Sequence, residues 1–454
     1  MVEQKKTLHA SPTWLVQFGE RLERARGHTG LTQTDLAGSE LSKSFVSLLE
    51  TARSYPSVET LLLLAGRSGV SVGSLLLESA DLRLDTALSL LSVAGDALWR
   101  RPAWARGLLR TVEELLPDVP LRIRSEVLFL RGLTFVAENQ LKEAQTQGDE
   151  ARRFAQKAKF APGVARATAL LGHVSMLRRD VPSAMTQLSD AVEGFRGSGS
   201  LRSEFGIRTL LWLGTTSIHA GRVRYARGVY EKARRLAARL RLRSLEGRAL
   251  WGLGHQAWVE GDLGKAARLL REAKAVFEKT EDLVDLGEVM RNLGVLLREQ
   301  GKLSESSKAL EHAIRLAEDA GNLRMRSSAL QELARLHLQL GDVEKAEAHA
   351  QTAATLAHAA GDKDHRARGI ALLGRIAGAR GDRPAALRQL RQAARIFGSL
   401  RLKDAAAEVK RDLALLRSAQ PPETIADHYL AQAIGKAPSR PSARRPAIHP
   451  ARRP

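Results

Sequence analysis

From residue 121 onward the chain repeats one pattern of small residues at a fixed interval, and that interval limits what it can fold into. Glycine or alanine stands at Gly132, Gly172, Gly214, Gly254, Gly294, Ala334, Gly374 and Ala414. Twelve positions later there is again a small residue, at Ala144, Ala184, Ala226, Ala266, Ser306, Ala346, Ala386 and Ala426. Seven further on there is always alanine, at Ala151, Ala191, Ala233, Ala273, Ala313, Ala353, Ala393 and Ala433. The step is 40 residues except for one of 42, between the second and third units, where Gly197 to Ser200 reads GSGS and holds the two extra residues. A unit of this length makes one helical hairpin, too small to enclose a core alone. Each of the eight units must bury its apolar stripe against its neighbours, so the expected class is all-α, an α-solenoid of helical hairpins.

A glycine inside a helix costs about 1 kcal/mol relative to alanine, so its recurrence needs a cause. The expectation is close approach, with the helices of one hairpin and the next touching backbone to backbone. Turn residues keep the same phase. Gly221, Gly261, Gly301, Gly341 and Gly381 stand where a left-handed cap would end a first helix, and Asp262, Asp342 and Asp382 where an N-cap would open the second. Pro182 and Pro384 fall in the first turn of second helices, where a missing amide hydrogen does no harm. Over residues 121–435 the pattern resembles the tetratricopeptide repeat in a longer, 40-residue form. The small residues match that family's eighth, twentieth and twenty-seventh positions, and leucine replaces most of its bulky aromatics. Residues 81–120 read as connecting or capping helices, because 82–116 is helical in pattern but lacks the small residues. In 436–454 Pro, Arg and Ser dominate, and a disordered basic tail is expected.

Ahead of the array, Leu31 to Pro56 reads LTQTDLAGSELSKSFVSLLETARSYP, two short helices and a tight connection. Thr32 can cap a helix that turns Leu36 and Ala37 inward. Ser42 can cap the next, which turns Val46 and Leu49 inward and Lys43, Ser44 and Ser47 outward. A first turn of small hydroxyls and one lysine is narrow enough to enter a DNA major groove. Trp14 to Arg26, with Leu15, Phe18 and Leu22 on one face, supplies a helix before this pair; Ser57 to Arg67 and Val70 to Leu77 supply two after it.

The elements LTQxxLA, SxSxVSxxE and R-x-x-P-S resemble the helix-turn-helix of Cro and phage-repressor (XRE-like) regulators, over Trp14 to Leu77 within a five-helix domain at 13–80. The resemblance implies that Gln33 contacts the DNA backbone, that Ser42, Lys43, Ser44 and Ser47 read bases and phosphates, and that Arg53 touches phosphate. The chain departs from that pattern twice. The turn before the recognition helix is one residue shorter, filled by Glu40 and Leu41, and Ala52 stands where the family has a glycine, so a left-handed cap there would be strained.

Charge does not locate the DNA-binding part. The formal charge is +21, yet Met1 to Ala80 holds eight basic and eight acidic residues, and 436–454 holds six basic and no acidic ones. The remaining +15 (21 − 0 − 6) lies in 81–435. The chain has no cysteine, which excludes disulfides and thiolate metal sites and suits a reducing cytoplasm. Leu61 to Ala65 is far too short to span a bilayer, and Met1 to Ala10 lacks a signal-peptide core, so no membrane partner is expected.

If the tetratricopeptide register holds, the second, fifth, ninth and twelfth positions of each unit line a groove. They include Arg166, Arg208, Arg248 and Arg368; Arg291 and Arg411; His173, His255, Arg335 and Arg375; and Trp251 and Trp258. Arginine forks pair with carboxylates or phosphates and tryptophan supplies apolar area, which points to an acidic peptide or protein segment as ligand. The alternative is internal pairing of these arginines with acids of neighbouring repeats, among them Glu126, Glu288 and Glu408. The histidines lack metal-ligand clustering, no phosphate-cradling loop or catalytic constellation stands out, and neither a cofactor nor an enzymatic activity is expected. Two functions stay open. The combination resembles peptide-responsive quorum-sensing regulators, which implies a DNA-binding, homodimeric bacterial transcription regulator whose array senses a ligand. The other is a protein-interaction scaffold whose small N-terminal domain docks partners rather than DNA.

Overall fold

The computed structural model describes residues 13–76, 79–98, 101–116, 118–400, 402–418 and Tyr429. Among them are 22 α-helices, one 3-10 turn and no strand. The chain forms two compact units, Met1–Ser198 and Gly199–Pro454, and the division falls inside the GSGS stretch.

The first unit opens with five helices, α1 (Thr13–His28), α2 (Gln33–Ala37), α3 (Lys43–Glu50), α4 (Val58–Arg67) and α5 (Val72–Leu76). Three of them start at the expected caps: Thr32 in a full capping box with Asp35, Ser42 accepting from the Phe45 amide, and Ser57 from the Thr60 amide. Leu15, Phe18, Leu22, Leu36, Val46, Leu49, Leu64 and Leu75 close one core. Two arginines seal helix ends inside it. Arg21 donates to the carbonyls of Leu75 (2.9 Å) and Leu76 (2.6 Å), and Arg67 to those of Leu36 (3.1 Å) and Ala37 (2.5 Å).

A hairpin of α6 (Ser79–Ala97) and α7 (Pro102–Leu115) follows and packs on α8 (Leu121–Ala137). Helices α8 and α9 (Leu141–Lys157), then α10 (Ala161–Leu177) and α11 (Val181–Gly197), are the first two repeats. The second unit begins with the 3-10 turn Ser200–Arg202 and continues as α12 (Glu204–His219) with α13 (Val223–Arg239), α14 (Arg243–Val259) with α15 (Leu263–Thr280) and α16 (Leu283–Glu299) with α17 (Leu303–Asp319). Helices α18 (Leu323–Gln339) with α19 (Val343–Ala359), α20 (Lys363–Ala379) with α21 (Arg383–Ser399), and α22 (Lys403–Arg417) complete it. These are tetratricopeptide-like hairpins. In the second unit α12 touches α14, α16 touches α18 and α18 touches α20, whereas no two second helices pack comparably, so the first helices form the inner row. The eighth unit's Ala426 and Ala433, and the basic tail 436–454, lie outside the described residues.

The turns repeat as closely as the helices. A left-handed residue recurs every 20 positions from Asn139 to Gly199 and again from Gly221 to Gly381. Asp262, Asp342 and Asp382 each accept the third backbone amide of the helix they open. Ala52 carries φ 56°, so the left-handed cap before α4 does fall on a residue with a Cβ.

The recurrent glycine has a more particular cause than backbone contact. A Cβ at Gly172 would lie 2.7 Å from Leu188, one at Gly214 2.7 Å from Tyr230, one at Gly294 2.6 Å from Leu310 and one at Gly374 2.7 Å from Leu390. Each glycine is a socket for a large side chain sixteen positions on, across the hairpin. Where the first helix carries Ala334 instead, the matching residue is the smaller Ala350, and Leu372 and Leu373 of the next hairpin join the same cluster. The alanines twelve and nineteen positions on, such as Ala386 and Ala393, are fully buried where the two helices meet.

This pairing yields a double-mutant prediction. Gly294→Ala should destabilise the second unit by about 1 to 3 kcal/mol through overpacking against Leu310. Leu310→Ala should cost about 2 to 5 kcal/mol. The double variant, which recreates the Ala334 and Ala350 pair, should cost clearly less than the sum. Additive losses in urea unfolding would show that the two residues do not share one socket.

Candidate nucleic-acid interface and repeat groove

Helix α3 turns one face to the core, with Val46 and Leu49 fully buried, and the opposite face to solvent. On the outward side Lys43 and Ser44 are exposed and Ser47 half-buried. Beside them Leu48 is 41% exposed, an apolar contact the sequence reading did not single out. The Ser42 hydroxyl accepts the Phe45 amide at 3.1 Å, so its first task is to start the helix. Arg53 is exposed just past the C-terminus of α3, and its amide bonds the Leu48 carbonyl at 2.8 Å.

The expected backbone contact, Gln33, is tied inward. Its side-chain amide donates to Glu50 at 2.7 Å, and Glu50 also holds Arg26 at 2.6 Å, with only 5% of the carboxylate side chain exposed. Arg26 reaches on to the Leu31 carbonyl at 3.2 Å. Thus α1, α2 and the end of α3 are locked through one carboxylate. Gly19 completes this lock, since a Cβ there would run into the Glu50 carbonyl. The short turn before α3 is held by an ion pair of Arg67 with Glu40, while Leu41 packs against the core. Glu50 appears in the sequence only as the last residue of the SxSxVSxxE element and Gly19 not at all, because their partners lie in other helices.

The predicted groove residues Arg208, Arg248, Trp251, His255, Trp258, Arg291, Arg335 and Arg375 all lie half-buried on first helices of the second unit, along its inner row. The arginines, however, carry acids. Arg208 pairs with Glu204 at 2.7 Å, Arg291 with Glu288 at 2.9 Å, and Arg375 with Glu408 at 2.6 Å and Asp412 at 2.9 Å. Arg248 pairs with Asp285 and Arg335 with Glu332, which also faces Arg298 at 3.8 Å. In the first unit Arg166 pairs with Glu126 at 2.7 Å. The Trp258 indole donates to Glu299 at 2.7 Å, and its ring meets His255 edge-on at 6.3 Å. Along α12 to α22 six arginines face six carboxylates, so the simple electrostatic pull on an acidic ligand disappears.

Burial makes these pairs consequential. It pushes the Asp285 carboxyl above its ordinary range, against the pull of Arg248. At Glu332 burial is outweighed by Arg335, Arg298 and Arg291, which hold the carboxyl low. Burial, with help from His219 and Arg291, lowers the His255 imidazole and keeps it neutral near pH 7. Asp362, the cap of α20, accepts from the His365 amide and ring, both at 3.0 Å, and pairs with Arg324 at 2.8 Å. Burial opposes its charge, but these hydrogen bonds and the charges of His365 and Arg324 bring its pKa from 3.8 down to about 2. No group of three or more metal-ligating side chains gathers among the described residues, and no helix there is long and apolar enough to cross a membrane.

Residues 244–421 match the family of MalT-like TPR regions. No curated protein matches the chain. Among solved structures the chain is similar to a Rap protein complexed with Competence and Sporulation Factor, at 13% identity over 92% of this chain and 99% of that one, with a TM-score of 0.50. It is also similar to the apo quorum sensor NprR from B. thuringiensis, at 13% identity over 88% of this chain and 98% of the other (TM-score 0.49). A third is Bacillus thuringiensis PlcR in complex with the peptide PapR7 and DNA, at 12% identity over 59% and 96% (TM-score 0.41). At such identities a likeness shows the fold alone, and the Rap structure carries it.

Two predictions concern the buried charges. Arg248→Ala strands Asp285 and should destabilise the second unit by about 2 to 3 kcal/mol, whereas Arg248→Met with Asp285→Leu, the residue found at the equivalent Leu245, should recover most of the loss. Failure of the double variant to recover in chemical unfolding would mean the pair does more than neutralise itself. Asp362 has a depressed pKa, so its stabilisation is full above pH 4 and fades as pH falls from about 4 to about 2. Asp362→Asn should therefore unfold earlier than the parent at pH 7 but not at pH 2; an equal gap at both would contradict the ionic account.

Proposed function

We propose that this protein is a sequence-specific DNA-binding transcription regulator whose tetratricopeptide-like array senses a peptide or protein segment. The observation that carries the DNA part is α3: a serine-capped helix whose Lys43, Ser44 and Ser47 face outward from a core locked through Glu50. In that role Lys43, Ser44 and Ser47 reach base edges or phosphates, Leu48 offers an apolar contact to a thymine methyl, and Arg53 reaches phosphate. Ser42 acts chiefly as the cap, and Gln33 must exchange Glu50 for DNA or serve only to orient α2.

The sensing part is supported by the fold. The structure resembled over nearly the whole chain, Rap, was solved with Competence and Sporulation Factor bound. Here the inner row offers Trp251, His255 and Trp258 among compensated arginines, so a ligand would gain by exchanging one internal pair for another rather than by meeting free positive charge. We further propose a homodimer, which would set two copies of α3 one DNA turn, about 34 Å, apart on a pseudo-palindromic site. Switching such a protein almost completely requires about 5.5 kcal/mol of differential ligand affinity between its two states. The neutral N-terminal helices favour a second reading, a scaffold whose N-terminal helices dock a protein.

Selection of bound genomic fragments with the purified chain should return a motif with two-fold symmetry. Lys43→Ala with Ser44→Ala should abolish that preference and leave helical content unchanged. Steep weakening with salt is expected for DNA binding through several phosphates. No enriched motif, or an unchanged preference in the double variant, would favour the scaffold.

A further inference from the structure

We propose that the outer face of α13 and α15 is a second nucleic-acid contact, gripping the phosphate backbone of double-stranded DNA without regard to sequence. On α13, Arg224, Arg227, Arg235 and Arg239 are exposed, and on α15 so are Arg268 and Arg271. None of these six guanidinium groups has an acidic partner among the described residues, unlike the arginines of the inner row. The two helices are tied by Arg234 and Glu272 at 3.9 Å, which leaves Glu231 as the acid of α13, exposed within the arginine row.

The repeat supplies an internal control. Equivalent outward positions on α17 hold Lys308 and Arg315 but also Glu311, Glu318 and Asp319, and those on α19 hold Glu344 and no lysine or arginine. The outer face is therefore not uniformly basic along the array, although α21 also presents Arg388, Arg391 and Arg395 to solvent. Its shape favours a phosphate rod. Between the arginines the outward positions are Gly228 and Ala238 on α13 and Gly264 and Ala275 on α15, all exposed. A rod can lie close there, beside Tyr225, which is 50% exposed next to Arg224. Along α13 the arginines span four helical turns, and guanidinium forks bind phosphate oxygens bidentately.

This contact goes beyond operator reading by α3 and does not require it. The test uses the full chain and a labelled 30-base-pair duplex of arbitrary sequence, with affinity followed by anisotropy as sodium chloride is varied. Arg224→Gln with Arg235→Gln should lower affinity at least tenfold in 0.1 M salt. The same variant should reduce the log–log salt slope by about two, at 0.9 per phosphate lost. Lys308→Gln with Arg315→Gln removes the same charge from α17 and should change the slope by less than half as much. Equal effects from both pairs, or an unchanged slope in the first, would overturn the proposal. So would binding to phosphatidylserine vesicles or to polyglutamate with none to the duplex. Operator preference in the Lys43 and Ser44 variant is read separately, so either proposal can fail alone.

Discussion

One steric complementarity recurs through the array: in most hairpins a glycine socket on the first helix receives a large side chain from the second. Where Gly172 meets Leu188, or Gly374 meets Leu390, the helices close without a void, and the pair recurs at the repeat interval. Because protein interiors pack at near-crystalline density, the socket and its occupant must change together, as they do at Ala334 and Ala350. At Gly132 the matching position is Gly148, and Leu170 from the following hairpin fills the space at 2.5 Å. The same volume is met from a different direction, which shows that the constraint is on space rather than on residue identity.

The inner row depends on that spacing for its electrostatics. Arginines brought to the half-buried face of successive first helices would repel one another, and the chain answers with carboxylates from the next hairpin or the same turn. Asp285 and Asp412 are the clearest examples, each nearly buried and each 37 positions after its arginine. Truncating one partner of such a pair leaves an uncompensated charge, so these residues fix hairpin orientation as well as lining the groove. A ligand that entered here would have to repartner charges rather than satisfy bare ones. An exchange of the pairs that bridge hairpins, such as Arg248 with Asp285, would alter how those hairpins are joined.

The N-terminal helices show the same economy on a smaller scale. Glu50 closes α3, holds Arg26 of α1 and orients Gln33 of α2, so a single carboxylate connects the outward face of α3 to two other helices. Gly19 lets α1 lie directly on the carbonyls that end α3. This arrangement fixes the base of α3, a helix of about two turns, against the rest of the N-terminal helices. Charge on this part of the sequence is balanced, while exposed arginines without an acidic partner gather on α13 and α15 of the second unit.

What the linear order of residues determined was everything that local chemistry sets. The 40-residue step, the capping Thr32, Ser42, Ser57, Asp262, Asp342 and Asp382, and the inward faces of α1 and α3 follow from spacing of 3.6 per turn and from short polar side chains at helix starts. The left-handed cap at Ala52 is marked instead by the resemblance, which puts a glycine there. Tertiary structure alone decided that Asp285 neutralises Arg248 and Asp412 neutralises Arg375, because each acid stands 37 positions away on another helix, whereas Arg335 meets Glu332 within its own turn. It also decided that the repeated glycines admit leucine rather than backbone, and that Gln33 leans on Glu50. Periodicity fixes the direction in which a side chain leaves its helix. What it meets there depends on how far the next helix is rotated, and only packing sets that angle.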